Sequence, residues 1–331
     1  MTKKSAEKAI TGKPSVSTAR TTTEKTLRDL MKTMEGKDFA DIEEANAFLQ
    51  TMLASGQMES LLDDVPLSLK DEAQELAFDA MEAESDAEAV KLAKRALRKD
   101  PDCVDALVVL AEIESTSQRQ LILRMQKAVA AGERSLGAEF IAENQGHFWG
   151  IIETRPFMRA LEQLAGLLRS EGINLDAIRH YETMIALNPN DNQGVRDPLL
   201  GLYLVVDNLD GARKLLQDYK EDASANFAWC RVLERFVSGD LPGASAALNK
   251  ARKANPFVEL YLIGRKALPK RPPEMYGMGT QEEAVLCLNN MAAAWAAHEE
   301  AAFWVLDQIE TARPPAKNVR TNRLGKRRKR R

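Results

Sequence analysis

The sequence predicts an all-α chain of stacked helical hairpins, a solenoid with an irregular insertion and a C-terminal helical hairpin. Three observations predict it. Residues 158–191 form one unit of 34 residues, MRALEQLAGLLRSEGINLDAIRHYETMIALNPND. In it Leu161, Leu164 and Leu168 recur at helical spacing, Gly172 marks a turn, Ala177 and Tyr181 fill a second helix, and Pro189 closes it. Pro189 and Pro256 stand 67 residues apart, one short of two such units. No segment sustains the apolar/polar alternation of a half-buried strand, so no sheet is expected. A lone hairpin of this kind leaves its apolar face open, and neighbours must stack on it.

The unit matches the tetratricopeptide pattern, which makes the fold class a tetratricopeptide-like solenoid. Residues 1–22, rich in Lys, Ser and Thr, are expected to be a disordered basic segment. Residues 23–60 hold two N-terminal helices. Thr23 to Met34 carries Leu27, Leu30, Met31 and Met34 on one face, and Asp41 caps the next, with Ile42, Ala45, Phe48, Leu49 and Met52. The first repeat block spans 70–131. Ala77, Ala80, Ala89, Ala93 and Ala96 line one hairpin closed by Pro101, and 104–114 with 118–131 form another. The register then breaks, because Pro101 and Pro189 are 88 residues apart, two units plus 20. The excess is an irregular insertion at 132–157. The second block, 158–268, contains helices around Leu199 and Tyr203, Ala212 and Leu216, 227–236 and 244–254, and an apolar helix after Pro256. Residues 269–312 are a Pro/Gly connector and a last hairpin anchored by Trp295, Phe303 and Trp304, and 313–331 are a disordered basic tail.

Charge is distributed unevenly. The net charge is −3, yet 313–331 carry ten Lys/Arg and no acid, and 1–28 carry +5, which leaves 29–312 at −18. The N-terminus lacks the apolar core of a secretory signal, and no stretch approaches the roughly 18 apolar residues of a membrane span. Cys103, Cys230 and Cys287 lie among apolar neighbours and far apart, which reads as buried thiols in a reducing, cytoplasmic setting.

Catalytic patterns are missing. His147, His180 and His298 do not pair at metal-ligand spacing, and no nucleophile elbow, phosphate loop or dinucleotide fingerprint occurs. The expectation is a protein that is not an enzyme and holds no cofactor or metal. Two polar clusters are candidate protein-binding surfaces. Trp149, Glu153 and Arg155 lie in the insertion, with Thr154 placed to cap the following helix and Pro156 in its first turn. Arg155 has two readings, an ion pair fixing the insertion or a carboxylate-recognition group. Asn192, Gln193 and Arg196 follow Pro189, where Asp191 or Asn192 serves as a cap. Such first-helix positions line the concave groove of a solenoid. Arg155, Gln193 and Arg196 are expected to share one face. The tail run Lys326, Arg327, Arg328, Lys329, Arg330 and Arg331 is a candidate polyanion-binding segment with no interleaved aromatics to stack on bases.

Some strings carry a resemblance. FWGIIETRPFMRA at 148–160 and NPNDNQGVR at 188–196 resemble a group of uncharacterised bacterial tetratricopeptide proteins. ARKANPFVELYLIGRKALPKRPPEMYGMGTQEEAV, followed by Trp295, is similar to the end of the suppressor-of-tumorigenicity-seven family. The likeness spans about residues 70–310 and implies a helical-repeat scaffold or adaptor with no catalytic activity. The membrane association of animal members does not carry over to a chain without an apolar span. Together these readings give a cytoplasmic scaffold that binds a protein or peptide. The alternative is a nucleic-acid-associated protein acting through its basic tail.

Overall fold

The computed structural model describes residues 18–34, 37, 39–55 and 67–311. The remaining N-terminal segment, most of the loop through Pro66 and the basic tail with Lys326 to Arg331 lie outside the described residues. Among the described residues there are sixteen α-helices, two short 3-10 turns and no strand. None of these helices is long and apolar enough to cross a membrane. The chain divides into two compact units, Met1–Leu199 and Leu200–Arg331.

The first unit contains α1 (Thr18–Met34), α2 (Ile42–Ser55), α3 (Leu69–Glu82), α4 (Asp86–Lys99), α5 (Val104–Glu114), α6 (Gln118–Leu136) and α7 (Ala138–Glu143). The 3-10 turns Phe148–Gly150 and Ile152–Thr154 lead into α8 (Arg155–Ser170) and α9 (Asn174–Leu187). Consecutive helices pack as hairpins, α3 with α4, α5 with α6 and α8 with α9, and α5 and α6 also meet α8. Small residues set the first interface: Ala73, Ala77, Ala80, Ala89, Ala93 and Ala96 are all buried around Phe78. Caps fix where the helices begin. Ser68 and Asp71 form a reciprocal capping box on α3, and Ser85 and Ser117 accept from the third backbone amides of α4 and α6. The repeat unit seen in the sequence is a hairpin with Leu161, Leu164, Leu168, Ala177 and Tyr181 all buried. Gly172, at φ +73°, ends α8, with its own amide on Arg169 O and the Ile173 amide on Leu168 O (2.9 Å). This is a left-handed glycine cap that turns the chain back.

Three details differ from the sequence reading. Helix α1 starts at Thr18, five residues early, and among its described side chains Glu24 and Arg28 are the buried ones, whereas Met31 is exposed. Helix α6 continues to Leu136, so the insertion opens as helix. Gly132 does not stop it. A Cβ there would lie 2.6 Å from Phe157 Cδ2, so the glycine lets an aromatic ring from α8 approach. Gly137, at φ +81°, is the stop.

Burial also has a cost in this unit. Glu112 on α5 is half-buried, and desolvation pushes its carboxyl up to about 7. A raised carboxyl means the folded chain binds the proton more tightly than the unfolded chain, whose value is 4.5. The resulting stability is present in full below pH 4.5 and is lost as pH rises through 7. Glu112→Gln is therefore expected to stabilise the protein at pH 8 by about 1–3 kcal/mol and to flatten its stability between pH 4.5 and 7. Parallel urea titrations of the two chains check this. Curves that keep a constant offset across that range would contradict it.

The second unit begins within α10 (Arg196–Val205) and continues with α11 (Leu209–Asp218), α12 (Ala225–Val237), α13 (Leu241–Ala254), α14 (Val258–Leu262), α15 (Gln281–Ala297) and α16 (Glu299–Thr311). Helices α12 and α13 form its main hairpin, and α15 packs on α12 and α14. Trp229 and Trp295 meet edge-on, with ring centroids 6.2 Å apart, at its centre. Asn255 and Glu283 form a buried polar knot. Glu283 accepts from the Ala225 amide (3.0 Å), the Asn255 side chain (2.9 Å) and the Gly279 amide (2.6 Å), and so ties the starts of α12 and α15 to the end of α13. The apolar helix expected after Pro256 is only five residues long. It ends at Gly264, at φ +70°, where the Lys266 amide closes back on Leu260 O. Phe303 is not an anchor but is 66% exposed. Ala301 and Val305, four residues apart, supply the inward stripe of α16, and position 303 falls about 200° from position 301.

Gly201 in α10 permits a close approach of neighbouring backbone. A Cβ there would lie 2.2 Å from the backbone oxygen of Asn290 in α15. Backbone cannot swing aside as a side chain does, so Gly201→Ala must push two helices apart. The expected cost is about 2–3 kcal/mol, although alanine is the better helix former. A thermal melt at or above wild type would show that the approach is not needed.

Candidate functional site

The first unit carries a groove in which charged and aromatic side chains converge. A cavity of about 350 Å³ is lined by α1, α3, the start of α5, the end of α6, α7 and the residues leading into α8. Its apolar wall includes Phe78, Phe140, Ile152 and Phe157. Phe148, fully buried, meets Phe140 at a tilt and Phe157 edge-on, behind that wall.

Beside the cavity runs a buried ion network. Arg159 of α8 is 5% exposed. Its guanidinium grips Asp105 of α5 with two nitrogens, at 2.6 and 3.3 Å, and both carboxylate oxygens of Glu24 in α1 with a third, at 2.6 and 2.8 Å. Gln74 of α3 adds a donor to Asp105 at 2.7 Å. Burial by itself would lower the proton affinity of Arg159, but the two carboxylates outweigh it and hold the group charged. One cation is thus bracketed by two acids on three helices, and the planar fork of arginine is what permits double bidentate contact.

Helix α1 is held on this face chiefly by charge. Lys25 lies 3.2 Å from Asp79, Arg28 pairs with Glu75, and Lys32 lies 2.6 Å from Asp71. Lys25 and Arg28 also stand over the Phe78 ring at 5.7 and 5.6 Å. Burial would raise the Asp71 carboxyl, but hydrogen bonds from Lys32 and Ser68 outweigh it and hold the group below its ordinary range.

Arg155 and Trp149 lie beside the ion network and are not among the residues that line the cavity. The Arg155 guanidinium lies 5.2 Å from the Trp149 ring centre and 3.7 Å from Glu24. Glu153 is exposed and lines the cavity mouth. Thr154 occupies the cap position of α8 but does not cap it. Its hydroxyl is fully buried and turns back to Phe148 O (2.5 Å) and Ile151 O (2.8 Å), so it braces the two 3-10 turns instead.

The second polar cluster is built differently. Asp191, in the left-handed region at φ 49°, accepts from the amides of Val195 (2.8 Å) and Arg196 (3.0 Å) and so caps α10. Burial nonetheless pushes its carboxyl up, against those donors. Asn192 is exposed. Gln193 donates to Glu162 (2.5 Å) and Met158 O (3.4 Å) on α8, and Arg196 lies 3.6 Å from Asp191. Arg155, Gln193 and Arg196 therefore each engage a different partner.

Cys103 lines the cavity, but burial pushes its thiol up to about 12, which keeps it protonated and a poor nucleophile. Cys230 and Cys287 are buried elsewhere. His147 is exposed, burial lowers the pKa of half-buried His180, and His298 bonds Leu204 O at 3.0 Å. Among the described residues no three His, Cys, Asp or Glu side chains converge as a metal site.

Comparison with known proteins finds no matching family model and no significantly similar curated protein. The groove is therefore described by its own residues. Its central members, Arg159, Asp105, Glu24 and Gln74, were not singled out by sequence reading. Two left a trace. Asp105 interrupts the apolar run of α5, VDALVVLAEIE, and Arg159 stands within FMRAL, each a charge at a position whose neighbours are core. Glu24 and Gln74 left none.

Proposed function

We propose that the protein is a non-enzymatic scaffold of tetratricopeptide-like repeats that binds a protein or peptide segment in the groove of its first unit. The observation that carries this is the cavity of about 350 Å³, walled by aromatics and rimmed by exposed charges, on a face built from successive hairpins. Helical-repeat proteins use such concave faces for binding, and an apolar floor with a few converging polar groups is what a peptide anchor requires. The resemblance of residues 148–160 and 188–196 to tetratricopeptide proteins supports the same reading, and a cytoplasmic location is part of the proposal.

The rim offers a test that spares the core. Lys70 and Glu153 are both exposed at the cavity mouth. The double charge reversal Lys70→Glu with Glu153→Lys is expected to leave the melting temperature within a few degrees and to abolish recovery of a stoichiometric protein partner. Undiminished recovery would remove the groove as the binding surface. Recovery of nucleic acid alone would favour the tail. Ten Lys/Arg that neutralise about six phosphates give a log–log salt slope of about −5, and truncation at residue 312 should remove it.

A further inference from the structure

We infer that α1 is a built-in occupant of this groove and that the groove accepts in its place a partner helix with the same charge pattern: an acid, a base four residues on and a second base four beyond. The inference rests on the reading of this face as a protein-binding groove and names what binds there.

The pattern is read from α1 itself. Glu24, Arg28 and Lys32 recur every fourth residue and so lie along one helix face. Each meets its complement: Glu24 the Arg159 guanidinium, Arg28 the Glu75 carboxylate and Phe78 ring, Lys32 the Asp71 carboxylate. This is helix-in-groove recognition with charges as its anchors.

Two observations mark the fit as exchangeable. First, among the described side chains of α1 the buried ones, Glu24 and Arg28, are both charged, while Leu27, Leu30 and Met34 are half-buried and Met31 is 44% exposed. Contacts of this kind recover little beyond the desolvation of the ions, unlike the alanine-lined core interface of α3 and α4. Second, among the described residues α1 lines the cavity with Glu24 and Arg28, two charged side chains, beside the aromatic wall that includes Phe140 and Phe157. A partner helix that adds one large apolar residue to the charge pattern would fill what α1 leaves open. Release of α1 does not strand Arg159, which keeps its double contact with Asp105.

The full-length chain supplies the test, with a fluorescent peptide of residues 18–34 as probe. A full-length variant with Glu24→Gln, Arg28→Gln and Lys32→Gln loosens the resident helix and is expected to keep its cooperative melt. It should bind the peptide at least 10-fold more tightly than wild type does. A peptide carrying Glu24→Gln should lose at least 10-fold on that same variant. In the wild-type chain, hydrogen exchange at 24–34 should be much faster than in α5 and α8. The inference is overturned if the peptide binds neither chain, binds both equally or ignores its own Glu24→Gln change. It is also overturned if the variant loses its cooperative melt, or if α1 amides are as protected as those of α8. A wild-type dimer that comes apart in the triple variant would likewise overturn it, by assigning the groove to a second copy. None of these failures touches the rim charge reversal, which tests partner binding independently of α1.

Discussion

Arg159→Met is expected to destabilise the first unit by about 3–5 kcal/mol, although methionine fills similar volume and suits a helix. The loss is of neutralisation. In the wild-type chain the Asp105 carboxylate, 1% exposed, is offset by a guanidinium at 2.6 Å. Without Arg159 it keeps only the Gln74 amide, and a neutral donor does not neutralise a buried charge. Glu24 keeps a cation, the Arg155 guanidinium 3.7 Å away. Chemical denaturation of the full chain should show the transition of the first unit, which holds Arg159, moving to lower denaturant. The decisive comparison is the double variant Asp105→Asn with Arg159→Met. If the trapped carboxylate causes the loss, the double variant is more stable than Arg159→Met alone. A double variant that is equal or worse would mean that packing, not charge, is what Arg159 provides.

That network shows where sequence reading stops. Hairpins were legible because their signal is local and periodic: Leu161, Leu164 and Leu168 recur on one face, and Ala177 and Tyr181 answer them within the same 34 residues. Polar strings were legible as unusual but not as to role. Asp191 is a cap, Thr154 braces two turns, and Asn255 with Glu283 ties three helix ends, so much of the distinctiveness of these strings is turn chemistry. The groove was not legible, because its members come from four helices up to 135 residues apart, Glu24 to Arg159, and only the fold brings them together. At α1 the apolar stripe located the helix, and it is the charged stripe of Glu24, Arg28 and Lys32 that makes the ion pairs with α8 and α3.

Leu164→Asp is expected to cost at least about 4 kcal/mol and to unfold the α8–α9 hairpin under conditions where the wild-type chain is native. Leu164 is fully buried in the middle of α8, on the stripe shared with Leu161 and Leu168, against a helix that contributes Ala177 and Tyr181. Truncating such a leucine to alanine typically costs about 3–5 kcal/mol, and aspartate adds either a buried charge or the work of protonating it. Because α8 also carries Arg159 and Phe157, the damage should spread to the groove, and binding of any groove ligand should fall with stability. Leu175→Asp is the control. That leucine is 64% exposed on α9, and its replacement should stay within about 0.5 kcal/mol of wild type. Circular dichroism melts of both variants decide the matter. If Leu164→Asp melts as the wild-type chain does, the hairpin is not packed as described, and the repeat reading of residues 158–191 fails with it.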